Sequence, residues 1–320
     1  MPRDLPIPPP ASSVADRAGP GPDAALADAR KLAESDRENF VVLSKLVPEK
    51  LRDDFAAVYA FCRYTDDLAD EHAHTDKSRR EAAAALAEAR VHLHAACDNL
   101  KAPPLYINLA KTIRRHRIPL DHFDALVNAF EQDQRVLTYD TWDRLLDYCR
   151  RSADPVGRIV LILGGHRPSA EDPASAPLEA LSDKVCTGLQ LANFWQDARS
   201  DLLTRHRVYM PSGDTHLTPD QLRGLADRTT NTDAEVRFSA ALRPLVRRTR
   251  TLFDEAENLH AQINSCIRAP VWLFHRAGIR LLDKVESSGY TTLWNRPRIT
   301  RVDRLKMLAK AWWIARRAGD

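Results

Sequence analysis

Tyr59–Glu71 reads YAFCRYTDDLADE. Just before and within it, Phe55, Val58, Tyr59 and Cys62 recur at i, i+3, i+4 and i+7, one face of an amphipathic helix. Asp66 and Asp70 then stand four residues apart, so both carboxylates leave the helix on the same side, and Asp67 with Glu71 repeats the spacing one step round. Like charges at that spacing repel by a few tenths of a kcal/mol. A solvated acidic stripe is not what an apolar face predicts.

Val185–Asp201 reads VCTGLQLANFWQDARSD and places Asn193, Asp197 and Asp201 four apart, again among apolar residues: Leu189, Leu191, Phe194 and Trp195. On a helix of 3.6 residues per turn such a stripe drifts only about 40° per step. Two acidic stripes on two mostly apolar helices are costly to bury without positive charge between them. Hard divalent cations answer that need, and Mg²⁺ is commonly held by a few carboxylates together with substrate phosphates. The competing reading is two independent surface stripes bonded to nearby arginines.

Outward from these stretches the helical pattern continues. Helices are predicted over 79–100, 105–116, 120–134, 141–152, 154–165, 178–202, 219–226, 233–264, 268–288 and 301–317. Breakers stand between several of them: Pro103-Pro104, Pro119, Gly164-Gly165 with Pro168, and Pro211-Ser212-Gly213. Arg207–Met210 is too short to seed a sheet. The fold class is therefore all-α, a single bundle-like domain. Seven of the 20 prolines fall in the first 22 residues, so residues 1–24 are expected to be disordered, residues 25–299 to form the helical domain and residues 300–320 a basic C-terminal helix.

The 320 residues are 44% hydrophobic and 28% charged with 11 Gly, which excludes collagen-like and wholly disordered chains. No apolar run reaches the roughly 18 residues of a membrane span. Five cysteines without CxxC spacing argue against a disulfide framework and for a cytoplasmic location. The histidines form no convincing ligand set. The net charge of +3 conceals an asymmetry: from Arg296 onward eight Lys/Arg face only Asp303 and Asp320, in a segment that also carries Trp312 and Trp313. Two readings of this tail stand. It is a solvated helix whose tryptophans pack on the body, or it touches an anionic membrane face. No nucleic-acid motif accompanies the basic residues, and no nucleic-acid partner is expected.

YAFCRYTDDLADE, YCRRSADPVG (Tyr148–Gly157), LQLANFWQDARSD (Leu189–Asp201) and RVYMP (Arg207–Pro211) together make the chain resemble the squalene and phytoene synthases, head-to-head prenyl transferases of the all-α isoprenoid synthase fold. The resemblance covers roughly residues 38–298. It implies a helical bundle around a central cavity and an isoprenoid diphosphate substrate. Asp66, Asp70, Asn193, Asp197 and Asp201 would be the ligands of two to three Mg²⁺ ions. Arg63, Gln190, Asn193, Arg207 and Tyr209 would bind substrate, and Tyr148 would stand near the reacting end. An ion pair to Asp67 is the plainer reading of Arg63, and a core tyrosine the plainer reading of Tyr148.

Two positions depart from squalene and dehydrosqualene synthases: Gln196 where an arginine is usual, and Asp154 where many relatives have glycine. With Glu38-Asn39-Phe40 and Asn193–Asp197 they look most like the hopanoid-pathway hydroxysqualene synthases. These take presqualene diphosphate to hydroxysqualene with release of diphosphate and without NADPH. Phe61, Leu161, Leu191 and Phe194 would then wall a cavity for the C30 chain. A complete synthase coupling two prenyl diphosphates is the alternative, and a non-catalytic scaffold of the same fold a second. Other pathway enzymes are further expected partners, and the basic C-terminal helix adds peripheral contact with the inner membrane surface as an expectation.

Overall fold

The computed structural model describes residues 46–70, 75–227 and 232–317. The expected disorder of residues 1–24 lies outside them, as does Glu38-Asn39-Phe40.

Thirteen α-helices are seen among the described residues. The first four are α1 (Glu49–Asp70), α2 (Asp76–Cys97), α3 (Pro104–His116) and α4 (Asp121–Asp133). They are followed by α5 (Trp142–Ser152), α6 (Asp154–Leu163), α7 (Ala176–Thr204), the single-turn α8 (Ser212–Thr215) and α9 (Pro219–Ala226). The last are α10 (Thr232–Glu255), α11 (Leu259–Gln262), α12 (Ser265–Ser287) and α13 (Arg301–Arg317). Local chemistry sets many of the starts. Thr75 and Ser78 exchange hydrogen bonds in a capping box before α2, Thr218 and Gln221 do so before α9, and Pro104 and Pro219 occupy first-turn positions.

The expected helix over 233–264 is two: the chain leaves α10 after Glu255, turns through residues 256–258, and resumes briefly as α11. Prolines do not break helices everywhere, since Pro244 lies inside α10 and Pro270 inside α12. Strand structure among the described residues is confined to one isolated bridge between Thr138 and Val208, where the Val208 amide donates to the Leu137 carbonyl at 2.7 Å. The short apolar run after α7 therefore pins a loop and seeds no sheet.

The 29-residue α7 is the axis of the bundle, packed by α5, α6, α10 and α12. Leu191, Ala192 and Trp195 on it are fully buried, and the Trp195 indole N–H donates to Thr249 of α10 at 2.8 Å. Gly188 of α7 and Gly278 of α12 both face the ring of Phe253, and a Cβ at Gly188 would stand 2.9 Å from its Cζ. The missing side chains let α7, α10 and α12 close around that ring. α1 packs on α3 and α4, and α13 lies across α12 through Met307, Leu308, Ala311 and Ile314. No helix among the described residues is long and apolar enough to cross a membrane.

Candidate active site

Between α1, α4, α5, α7, α12 and α13 lies a cavity of about 1060 Å³. This is at the upper end of the usual range of roughly 300–1,000 Å³ for small-molecule sites. Tyr59, Cys62, Arg63 and Asp66 line it from α1 at i, i+3, i+4 and i+7. Phe55 begins the same face but lies up to three turns earlier and is buried with Val58 in the core, while Phe61 is rotated away from the motif and enters the core against other helices. From α7 come Leu189, Gln190, Asn193, Phe194, Gln196, Asp197 and Asp201. Tyr148, Arg207 and Tyr209 complete the wall, so nine of the ten residues expected from the sequence meet in one place. The tenth, Asp70, ends α1 one turn beyond Asp66.

The lining is divided in character. Among the described residues, Arg63, Arg205, Arg207, Arg296, Arg298 and Arg304 face Asp66, Asp133, Asp197 and Asp201, two positive charges in excess. The apolar part of the wall includes Leu126, Phe130, Val156, Leu273, Leu281 and Leu308. Such a cavity suits an amphiphile with an anionic head and a hydrocarbon body. Of the hydrophobic walls expected from the sequence only Phe194 lines it. Phe61 and Leu191 are fully buried and Leu161 nearly so, packed among helices on other sides. A helical apolar face shows that something covers it; it does not show whether that is a ligand or a neighbouring helix.

Each acid is held by a cation. Arg63 places Nη2 2.7 Å from Asp67 and Nη1 3.7 Å from Asp66, so the ion-pair reading and the position on the cavity are both correct. Arg205 reaches Asp201 at 2.9 Å. Asp201 is buried, and that burial pushes its carboxyl up to about 6 despite Arg205. Arg296 grips Asp197 with both arms of its guanidinium. The neighbouring Gln196 amide donates to the Pro297 carbonyl at 2.6 Å, so a loop strap after α12 is tied across α7 at two consecutive residues.

Deeper in the site, Tyr148 donates its hydroxyl proton to Asp133 at 2.8 Å, and Arg207 approaches the same carboxylate oxygen at 3.7 Å. Burial, then the negative charge of Asp133, holds the Tyr148 and Tyr209 phenols well above their ordinary range. Both therefore stay neutral. The rings of Phe194 and Tyr209 stack with centroids 3.6 Å apart, and Tyr148 lies 6.2 Å from Phe194. His206, in the left-handed region at φ 57°, turns the chain out of α7, and the Arg207 amide donates back to Asp201 O at 2.9 Å. That turn aims Arg207 inward.

Asp133, Arg205, Arg296, Arg298 and Arg304 were not expected at the site. Asp133 had a readable signal: it continues the Leu126–Phe130 face of α4 at i+7 and i+3, and all three line the cavity. The arginines of the strap carry no such local sign. Asp154, the second departure, does not line the cavity. It is buried at the start of α6 and accepts a hydrogen bond from Thr187 at 2.7 Å.

A sequence profile described as squalene/phytoene synthase matches residues 33–304. The chain belongs to this family. Two curated family members are similar: hydroxysqualene synthases of Zymomonas mobilis, 35% identical over 177 residues, and of Rhodopseudomonas palustris, 34% over 174. These matches cover 55% and 54% of this chain and 55% of each relative, so the chain spans about half the length of the curated relatives it matches. Among solved structures, a squalene synthase HpnC from Alicyclobacillus acidocaldarius superposes with a TM-score of 0.72 at 35% identity, covering 84% of this chain and 95% of that one. The family fold is that of the isoprenoid synthases.

Carboxylate oxygens of Asp66, Asp197 and Asp201 with the amide oxygens of Gln190 and Asn193 form a hard donor set without thiol or imidazole, the chemistry a Mg²⁺ ion takes. Among the described residues no three acidic, histidine or cysteine side chains gather in a group that could hold a metal ion by themselves. The set fits an ion whose remaining ligands come from phosphate oxygens and water.

Proposed function

We propose that the chain converts presqualene diphosphate to hydroxysqualene and diphosphate with Mg²⁺ bound. The observation that carries this reading is Gln196. At the place beside Asp197 where a synthase for two diphosphates would put another cation, this chain has a neutral amide bonded to the Pro297 carbonyl. One diphosphate head and one joined hydrocarbon match a cavity lined by both arginines and apolar side chains.

Asp66, Asp197 and Asp201, with Asn193 and Asp70, would hold Mg²⁺, which supplies Lewis-acid stabilisation of the departing diphosphate. Arg63, Arg205 and Arg207 bind the same head, and their charges are already oriented when negative charge builds on the leaving oxygen. As the carbon–oxygen bond to diphosphate breaks, the carbon left behind becomes a cation. Phe194, Tyr209 and Tyr148, which line the cavity, stabilise positive charge through their ring quadrupoles. Leu126, Phe130, Leu273 and Leu281 keep the rearranging hydrocarbon dry until one water adds its oxygen and loses a proton.

The test is product analysis by gas chromatography with mass detection. Purified protein with Mg²⁺ receives presqualene diphosphate or farnesyl diphosphate, each with and without NADPH. Hydroxysqualene from presqualene diphosphate alone, whether or not NADPH is added, is the expected result. A coupled product from farnesyl diphosphate would assign a complete synthase instead, and no product from either would favour the scaffold.

A further inference from the structure

The outward half of α13 has a composition that neither solvent nor the bundle requires. At 100° per residue, its exposed side carries the large apolar residues Val302, Leu305, Trp312 and Trp313, which are 61%, 70%, 50% and 42% exposed. Neither tryptophan belongs to the apolar cluster beneath the helix. The inner side of α13 packs on the body through Met307, Leu308, Ala311 and Ile314. Interleaved with the exposed apolar residues are Arg301, Lys306, Lys310, Arg316 and Arg317, all exposed. The one acid of the helix, Asp303, lies at the edge of this face and is already bound to Arg280 at 2.8 Å and Lys284 at 3.2 Å.

Cations and rings are already paired on this face. Arg316 lies 3.7 Å over Trp312, and Arg317 and Lys310 lie 3.8 and 4.2 Å over Trp313. Tryptophan beside arginine and lysine, with aliphatic residues between, is the composition of a helix lying in a lipid headgroup layer: rings sit at the acyl boundary and cations meet phosphates. Single exposed apolar residues need no explanation, but four on one 17-residue helix make a patch.

We propose that the outer face of α13 docks on an anionic phospholipid surface. Charge decides between occupants. A second copy related by a two-fold axis would set five cations against the same five, whereas an anionic bilayer offers phosphate to every one. Arg304, Met307 and Leu308 on the inner side of α13 line the large cavity, as does the half-exposed Phe274 of α12. Docking therefore brings this wall of the cavity to within one helix of the bilayer. The use of that closeness, release of an uncharged C30 product into lipid, rests on the proposed function; the docking itself does not.

The experiment measures binding alone, with the full chain and sucrose-loaded vesicles. One set is phosphatidylcholine and the other contains one third phosphatidylglycerol. Expected is sedimentation with the anionic vesicles only, reversed by 0.5 M salt, with tryptophan fluorescence quenched by brominated acyl chains. The Lys310→Gln/Arg316→Gln/Arg317→Gln variant should bind about a hundredfold more weakly, since each cation near such a surface is worth roughly a fivefold factor. Trp312→Ser/Trp313→Ser should lose the bromine quenching while keeping the helical circular dichroism, because both rings are outside the core. Equal binding to neutral vesicles, no binding to either, or undiminished binding by both variants overturns the proposal. Self-association without lipid that the serine variant abolishes would assign the face to a second copy, and retention on a nucleic-acid duplex with no vesicle binding would assign it there.

Discussion

Arg296 holds Asp197 from 99 residues further along the chain, its Nη2 3.0 Å from Oδ2 and its Nε on the other oxygen. A guanidinium on a carboxylate is a stand-in for a metal ion: it neutralises the same charge with the same hard oxygens. It also competes with one. The pair is partly exposed, with 49% of the Arg296 side chain and 24% of the Asp197 side chain accessible, which places its strength near 0.2–1 kcal/mol. Replacing Arg296 by Gln should therefore tighten divalent binding by the substrate-free protein by up to about fivefold. Titration with Mn²⁺, followed by the electron spin resonance of the free ion, reads this directly. Unchanged or weaker binding would show that the strap does not compete for Asp197.

The buried Asp201 makes the site sensitive to acid. Its carboxyl is pushed up to about 6, burial outweighing the nearby Arg205. Above that value it is ionised and offers charge to a divalent ion. Below it a proton occupies an oxygen that the proposed Mg²⁺ would use. Turnover at limiting Mg²⁺ should thus fall about tenfold per unit as the pH drops below 6, and the half-saturating Mg²⁺ concentration should rise in step. An unchanged Mg²⁺ requirement between pH 5 and 7.5 would remove Asp201 from the ligand set.

The helical stripes Asn193–Asp197–Asp201 and Asp66–Asp70 were legible because period and chemistry coincide on single helices, and the capping and breaking residues placed most helix ends within a few positions. The walls of the cavity were not. Phe61 lies beside the motif in sequence but points 100° away per step, into the packing with Tyr106 and Phe123. The same rotation brings Tyr59 and Arg63 to the cavity. Arg296, Arg298 and Gln196's partner Pro297 belong to an irregular strap, and no periodicity tells where a loop returns. Tertiary contact supplies that.

Asp154 offers a separate test of electrostatics away from the cavity. Burial first, then Asp183, pushes its carboxyl up to about 7 from an ordinary 3.8. Between those values the folded protein binds a proton that the unfolded chain does not. Stability therefore falls as pH rises through the window, and the penalty is complete above about 7. Asp154→Asn keeps an oxygen for the Thr187 hydroxyl and removes the charge. It should change stability little at pH 4 and raise it at pH 8, with an upper limit near 4 kcal/mol. Urea unfolding at both pH values checks this; equal effects at the two would refute the assignment.

Asp133 is the residue through which the fold controls Tyr148. The carboxylate is 4% exposed, accepts the Tyr148 hydroxyl proton at 2.8 Å and has Arg207 Nη1 at 3.7 Å. With its proton committed to Asp133, the phenol of this cavity-lining residue is left with oxygen lone pairs and ring electrons, which suit a cation. Asp133→Asn is nearly isosteric but exchanges a charged acceptor for an amide and leaves Arg207 short of an anion in a buried place. A cost of about 1–3 kcal/mol in stability follows. Tyr148→Phe removes the other partner. If the two groups act as a unit, the double variant should be no worse in turnover than the poorer single one. Product analysis adds a readout that a purely structural role would not move: once the phenol is free to turn, the partition between hydroxylated and other hydrocarbon products should shift in Asp133→Asn. Additive losses with an unchanged product ratio would mean that Asp133 holds up the wall and does nothing to orient Tyr148.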